Sequence, residues 1–335
     1  MKKTQIAIYI LIVLSLMLVD ILAPDKAYDE IEKKNLTEFS DLDFKDFFEG
    51  EFSSNLNDYI EDQIYLKDEL RVIKSFINYY IQLNPENKGI YALNSHLYER
   101  VYPRDDYAIT SFKETIKLLK EFVDVDGVYV IPDKSLYLDK YLHLSDEDFE
   151  DLNLLYDILS VDDYYKTDLH LTHQGAYKIY KHLIDDALDL EFEEVANDFK
   201  GYYYNKSMYN LFSDRLFRIK HQLVNDLTLC KLNDCYDSVY FEDKLKTNDK
   251  YQYYSGGVSP ITEISNQNGE GELVMFSDSY GQSLSIFMGL NYSKVTVIDL
   301  RLISLDEAIK YVNDDSDVIC IYGLKTINDG SIRAN

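Results

Sequence analysis

Two short stretches carry side chains whose types and spacing suit nucleophilic catalysis. In ELVMFSDSYGQS (272–283), Leu273, Val274, Met275 and Phe276 read as a short buried strand. From Gly281 onward, Leu284, Ile286 and Phe287 have helical spacing, and Ser279 stands at the corner between the two. A hydroxyl there is exposed at the strand's C-terminal end, beside helix-start N–H groups that favour negative charge. A nucleophile suits that place, and so does an ordinary N-cap. In TDLHLTHQGAY (167–177), Asp168 and His170 alternate just before a helix that begins near Thr172, a natural N-cap. The i, i+2 spacing puts carboxylate and imidazole on one side of an extended stretch. A serine is a weak nucleophile until a base takes its proton and a third group orients that base. Taken singly, Asp168 reads as a turn residue and His170 as a polar loop residue. His173, on the helix's first turn, reads as solvent-facing. Its i+3 relation to His170 suggests a metal pair, but no third ligand is nearby, and neither a metal nor another cofactor is expected.

The elements that must position these residues follow from hydrophobic periodicity. Helices are expected over Ser111–Val123, Asp146–Ile158, Thr172–Leu188, 282–289 and Leu305–Val312. Strands are expected over Val128–Ile131, 272–277, Lys294–Leu300 and Val318–Tyr322, and a hairpin over 88–100 with an Asn-Ser turn. Strands alternating with helices imply an α/β fold, a mainly parallel sheet covered on both faces. Ligands then gather at the strands' C-terminal ends, where Ser279, Pro132 and Arg301 fall. Residues 197–265 are Tyr-rich with little periodicity and read as an insertion or cap within a domain spanning 86–335. Residues 25–85 read as a helical stalk or arm, with Phe39, Phe44, Phe47, Phe48, Phe52, Leu56, Ile60, Ile64 and Leu70 recurring at threes and fours. No internal repeat is evident.

Ahead of that arm, Met1-Lys2-Lys3 precedes an apolar run from Ile6 to Val19 that continues past Asp20 through Ala23. Such a run is just long enough to cross a bilayer, and its positive start belongs in the cytoplasm. Residues 1–24 are therefore expected to be an uncleaved transmembrane anchor, with the remainder extracytoplasmic; a cleaved signal peptide is the rival reading. The formal net charge of −26 over 335 residues argues against nucleic acid as a partner. The 31 tyrosines and absent tryptophan fit codon bias, or more weakly a carbohydrate-stacking surface. Of three cysteines, Cys230 and Cys235 are placed to pair, and Cys320 reads as a buried strand residue.

Together these blocks resemble a known family. ELVMFSDSYG is similar to the Gly-Asp-Ser nucleophile block of the SGNH/GDSL hydrolases. TDLHLTHQGA resembles the Asp-x-His-Trp-Thr block of their DHHW and alginate O-acetylation branch, in which the Asp-His pair precedes the serine. YIEDQIYLKDEL (59–70) resembles the branch's Asp-Gln signature, NKGIYALNSHLYE its opening hairpin, VYVIPDKSLY its Pro-x-Lys block, and VTVIDLR its strand after the nucleophile. The resemblance covers roughly residues 50–323 and implies a three-layer α/β/α fold. It assigns Ser279 as nucleophile, His170 as base and Asp168 as orienter, with the backbone N–H of Ser279 or Tyr280 at the oxyanion and Arg301 near the substrate, the alternative for Arg301 being a salt bridge on the sheet's rim. It leaves Lys134 either a functional or a structural role. Ser277 stands where the block has Gly, Leu171 replaces its Trp, and Lys67 replaces an Arg. The implied activity is O-acetyl transfer to an extracytoplasmic polysaccharide, with a membrane-bound acyltransferase supplying acetyl groups. The alternatives are a carbohydrate acetylesterase, or an inactive glycan-binding or assembly protein.

Overall fold

Along Glu272–Ser277, Leu273 and Met275 pack into one apolar cluster while Val274 and Phe276 pack into another. That alternation marks a strand buried on both faces, and it sets the layering of the surrounding chain. The computed structural model describes residues 2–29, 31, 34–42, 52–101, 104–139, 152–232 and 234–332. Two compact units separate, residues 1–84 with Met208–Asn210, and residues 85–207 with 211–335.

In the first unit, α1 (Lys2–Leu22) is followed by a small antiparallel pair, β1 (Tyr28–Asp29) and β2 (Lys34–Asn35), then α2 (Phe52–Asp62) and α3 (Lys67–Phe76). Several side chains of α1 fall outside the described set, and among the described residues no helix is long and apolar enough to cross a membrane. The arm is less helical than expected, because its polar signature residues hold an extended segment. Gln63 exchanges two hydrogen bonds with Lys26 and donates to the Thr37 carbonyl at 2.8 Å, while Asp62 accepts from Thr37 N at 3.0 Å. Phe44, Phe47 and Phe48 lie outside the described residues.

The second unit opens with β3 (Glu86–Asn87), β4 (Ile90–Leu93) and β5 (His96–Glu99), a hairpin whose Asn94 and Ser95 both take positive φ, as a tight two-residue turn requires. It continues through α4 (Asp106–Phe122), β6 (Gly127–Ile131), α5 (Ser135–Leu138), β7 (Asn153–Leu154), α6 (His173–Leu183), β8 (Glu191–Phe199) and α7 (Tyr202–Ser207). Then come β9 (Asp214–Lys220), β10 (Leu227–Lys231), β11 (Asp234–Tyr236), β12 (Ile261–Asn266), β13 (Glu272–Ser277), α8 (Gly281–Met288), β14 (Lys294–Ile298), α9 (Leu305–Ala308), β15 (Asp317–Gly323) and α10 (Leu324–Asn328). Among the described residues the central sheet has eight strands, ordered β11-β10-β12-β14-β13-β15-β6-β7. From β14 through β7 neighbouring strands run parallel; β12, β10 and β11 extend one edge antiparallel. Ile179 and Tyr180 of α6 and Leu284 and Phe287 of α8 cover one face, and Phe112, Ile116 and Leu119 of α4 cover the other. Burying side chains such as Phe112 and Phe287 completely stabilises by about 1.5–3 kcal/mol each. The α/β expectation is met as a mixed sheet with helices on both faces.

Three expected elements differ. The stretch 197–265 supplies sheet strands β10 and β12, whose tyrosine-rich surroundings hide their period. The helix at Thr172 ends at Leu183, because the hydroxyls of Tyr180 and Tyr177 bind Leu188 N and O and draw the chain away. In place of the end of an expected helix, residues 153–154 form β7 beside β6; 146–151 and His143 lie outside the described residues. Cys230 and Cys235 are register partners across the β10–β11 hairpin and are disulfide-bonded. Cys320 is buried in β15, and burial pushes its thiol up to about 12.

Candidate functional site

The polypeptide reverses its lateral direction at β13. The strand that follows it, β14, lies on one side, and the next, β15, lies on the other. Such a switch point leaves a crevice beyond the strands' carboxyl ends. Ser279 emerges there, two residues past the end of β13 and two before α8. The turn is tight because Gly281 has no side chain: a Cβ there would meet Ser277 Oγ at 2.9 Å and Val297 at 3.0 Å. Ser277, at the position where the resembled block has glycine, is fully buried, and its hydroxyl has no partner among the described residues.

His170 arrives from the far side of the sequence. Its Nε2 lies 2.8 Å from Ser279 Oγ, and its Nδ1 lies 2.6 Å from Asp168 Oδ1. The intervening backbone is not extended as expected. Tyr164 bridges Leu171, Tyr165 N donates to His170 O, and His170 N donates to Asp168 Oδ1 at 2.9 Å, which closes a compact loop. Such an Asx turn lets one carboxylate orient both the backbone and the ring. Leu171 is buried in the core, so the residue replacing the family Trp packs inward. Thr172 caps α6 through Gly175 N at 3.0 Å, as expected.

Several residues build this loop, most of which, Lys134 aside, carried no local signal. Tyr202 N donates to Asp168 Oδ2 at 2.7 Å. Gly201 permits this approach, since a Cβ there would stand 2.2 Å from that oxygen. Asp214 accepts from Lys166 N, Thr167 N and Thr167 Oγ1 at 2.6–2.8 Å. Lys134, completely buried, donates to the carbonyls of Tyr165 and Asp168, each at 2.7 Å. Burial lowers its ammonium to about 8, against the pull of Asp214, Asp168 and Asp133. Burial also works to raise the Asp168 carboxyl, but His170 and the two backbone donors outweigh it and hold the group at about 2. Tyr251 stacks on the His170 ring, centroids 3.9 Å apart and planes 8° from parallel. The stacked ring covers one face of the imidazole and fixes its plane.

Tyr280 and His173 sit differently from the expectation, and Arg301 takes its alternative place in a salt bridge. Tyr280 N donates to Asp278 Oδ1 at 3.1 Å and its hydroxyl to Leu169 O, so its backbone donor is committed. Arg301 is clamped on Asp299 by two hydrogen bonds, at 2.8 and 2.6 Å. Burial opposes its charge, and the Asp299 pair restores it, raising the pKa. His173 is buried, not solvent-facing. Its nitrogens meet Ser283 Oγ at 2.7 Å and Tyr240 OH at 3.0 Å, between the rings of Tyr254 and Phe287. Those partners lie far away in sequence, which is why spacing alone misplaced it. Among the described residues no group of His, Cys, Asp and Glu is arranged to hold a metal.

No protein-family model and no curated protein matches the sequence. Solved structures do match. One is a DHHW family protein from Eubacterium siraeum, 17% identical, with a TM-score of 0.60 over 75% of this chain and 97% of that one. This chain shares its fold. A second is Bacillus cereus PatB1 with a sulfonyl adduct, 14% identical, with a TM-score of 0.56 over 73% and 98%. The O-acetyltransferase domain of Pseudomonas putida AlgJ matches at 12% identity and a TM-score of 0.40, too low to bear on the fold. The resemblance read from the sequence blocks therefore holds at the level of the fold.

Proposed function

We propose that the protein is a serine-dependent O-acetyltransferase acting on an extracytoplasmic polysaccharide. The observation that carries this reading is the unbroken chain Asp168–His170–Ser279, with contacts of 2.6 and 2.8 Å. His170 Nε2 takes the Ser279 proton as Oγ attacks the carbonyl of an acetyl donor, and the imidazolium is steadied by Asp168. Collapse of the tetrahedral intermediate breaks the bond to the donor's leaving group, which receives the proton from His170. A sugar hydroxyl then gives its proton to His170 as its oxygen attacks the acetyl-Ser279 carbonyl; on collapse the Ser279 Oγ–carbon bond breaks, His170 returns the proton to Oγ, and the sugar leaves as its acetyl ester. Water in place of the sugar makes the same machinery an acetylesterase. The departures from the family pattern do not argue for a decayed site: Ser277 fits beside Gly281, Leu171 packs in the core, and the three reacting groups remain in contact.

The apolar run and lysine-rich start within residues 1–24 support a membrane anchor with the second unit extracytoplasmic. A membrane-bound acyltransferase is the partner such a topology calls for, since an activated acetyl group made inside must cross the bilayer. The test uses the full chain in mild detergent, with p-nitrophenyl acetate as donor and mass spectrometry of Ser279. Wild type is expected to release p-nitrophenol and carry an acetyl group on Ser279, and Ser279→Ala is expected to lose both, with a drop of about 10⁴-fold or more in kcat. Equal turnover by the two proteins would sink the reading. Adding neutral oligosaccharides to wild type then separates transfer from hydrolysis.

A further inference from the structure

Two contacts hold the His170 ring at its nitrogens, Nδ1 at 2.6 Å from Asp168 and Nε2 at 2.8 Å from Ser279. The N–H and the lone pair of imidazole lie in its plane, so bonds at the two nitrogens fix distances and leave the ring free to tilt. The torsion between Cβ and the ring resists that tilt poorly, because its wells are broad. A contact on the ring's face is what such a base requires. Tyr251 makes one, with centroids 3.9 Å apart and planes 8° from parallel.

Tyr251 belongs to a short 3₁₀ turn, Lys250–Tyr253, closed by Gln252 N on Asp249 O at 3.2 Å and by Gln252 Nε2 on Asp249 Oδ2 at 2.8 Å. Residues three apart on such a turn point the same way. Tyr251 and Tyr254 accordingly meet His170 and His173, themselves three apart where α6 begins. Tyr254 stacks on His173 with centroids 4.5 Å apart and planes 21° from parallel. The next residue reaches the other half of the site. Ser255 is buried and donates its hydroxyl at 2.8 Å to the carbonyl of Gln282, on the first turn of α8. It holds φ at +54°, which non-glycine residues rarely take and which persists where the surroundings over-determine it. Residues 251–255 thus touch the base, the helix that follows the base and the helix that follows the nucleophile.

We infer that Tyr251 is a positioning residue for acyl transfer, and that the segment Tyr251–Ser255 braces the base against the nucleophile. This rests on the reading of Ser279 as nucleophile and His170 as base. In the first step His170 Nε2 takes the hydroxyl proton as the Ser279 Oγ–carbon bond forms. On collapse the bond from carbon to the leaving group breaks, and His170 delivers that proton to the departing oxygen. Between the two events the Nε2–Oγ contact is given up, and Asp168 holds the ring through one nitrogen. The Tyr251 face keeps the imidazole in plane while the proton changes oxygen. Tyr280 adds an inclined contact to the same imidazole at 5.4 Å, and Tyr165 meets Tyr251 edge-on at 6.2 Å, which holds Tyr251 in turn.

The test compares wild type, Tyr251→Phe, Tyr251→Leu and Tyr251→Met as full chains in detergent. It measures p-nitrophenyl acetate turnover, Ser279 labelling by phenylmethylsulfonyl fluoride, and NMR of isotope-labelled histidine rings, with His170 assigned by its loss in His170→Gln. Thermal unfolding verifies folding. The wild-type His170 ring protons are expected upfield of those of free histidine, shielded by the tyrosine face. Tyr251→Phe is expected to keep that shift and to keep kcat within threefold. Tyr251→Leu and Tyr251→Met are expected to lose the shift and about 10- to 100-fold in kcat, with KM within threefold. A folded Leu or Met variant with kcat within threefold of wild type overturns the inference while Ser279 stands. So does a Phe variant that loses as much as Tyr251→Leu, since the hydroxyl and not the ring would then matter. Should neither the Leu nor the Met variant fold, the wild-type spectrum decides: a shielded His170 ring supports the brace and an unshielded one overturns it. A wild type that neither turns over nor labels removes the nucleophile reading and this inference with it.

Discussion

Asp168 directs His170 with one oxygen and is itself directed by the Tyr202 N–H on the other, and the second contact exists only because residue 201 has no side chain. A Cβ placed 2.2 Å from Oδ2 must push the carboxylate or the α7 start away. Gly201→Ala is therefore expected to lower kcat by at least tenfold, since small misplacements of a reacting group are costly, and to destabilise by about 1–3 kcal/mol. Steady-state kinetics beside urea unfolding checks both; an unchanged kcat in a destabilised protein would reduce Gly201 to a packing residue. At this scale the sequence disclosed Ser279, His170 and Asp168 because each sits in a short block with its own signature. It did not disclose Gly201, Tyr202 or Tyr251, which reach the site from over thirty to over eighty residues beyond Asp168 and leave no local period.

At the scale of elements, α6 joins the reactive loop to the interior through His173, the first residue of the helix. The groups facing it are Ser283, Tyr240, Tyr254, Phe287 and Phe192, none charged at neutral pH, so its neutral form is the one the fold accepts. Burial lowers its pKa from 6.5 to about 3. An unfolded chain then binds a proton below 6.5 that the folded chain refuses, so the stability present above that pH is lost as pH falls through 6.5 toward about 3. The slope from this group approaches about 1.4 kcal/mol per pH unit. Urea unfolding between pH 6 and 4 is expected to show wild type losing stability more steeply than His173→Gln by about that amount per unit. Parallel curves would mean that His173 takes a proton in the fold. The helices and central strands were legible because their apolar residues repeat at 3.6 or 2 over enough positions. The strands β10 and β12 were not, because Leu227 and Leu229 are separated from Ile261 and Ile264 by the short β11 and a tyrosine-rich stretch of turns that breaks the period. Lys134 was visible in its Pro-x-Lys block, but its task of gathering the carbonyls of Tyr165 and Asp168 appears only once β6 lies beneath the loop.

For the whole molecule, charge bears most directly on the acceptor. A chain with a formal charge of −26 carries a negative overall field, and the polysaccharide acceptor of the proposed function would approach through it. A polymer of uronate sugars is repelled over a Debye length of about 30 Å at 0.01 M salt and about 8 Å at 0.15 M, whereas a neutral glycan of the same length feels almost nothing. The expectation is a KM for an anionic acceptor that falls several-fold across that range of salt, while KM for a neutral acceptor stays within twofold. Acetyl transfer to matched neutral and carboxylated oligosaccharides at the two ionic strengths measures this directly. A KM for the anionic acceptor that rises with salt would reveal a local basic path to Ser279 strong enough to override the global charge. Arg301 is a weak candidate for that path, because Asp299, bound through Nε and Nη2, offsets most of its charge, so such a result would point to other basic groups or to that pair opening when acceptor binds.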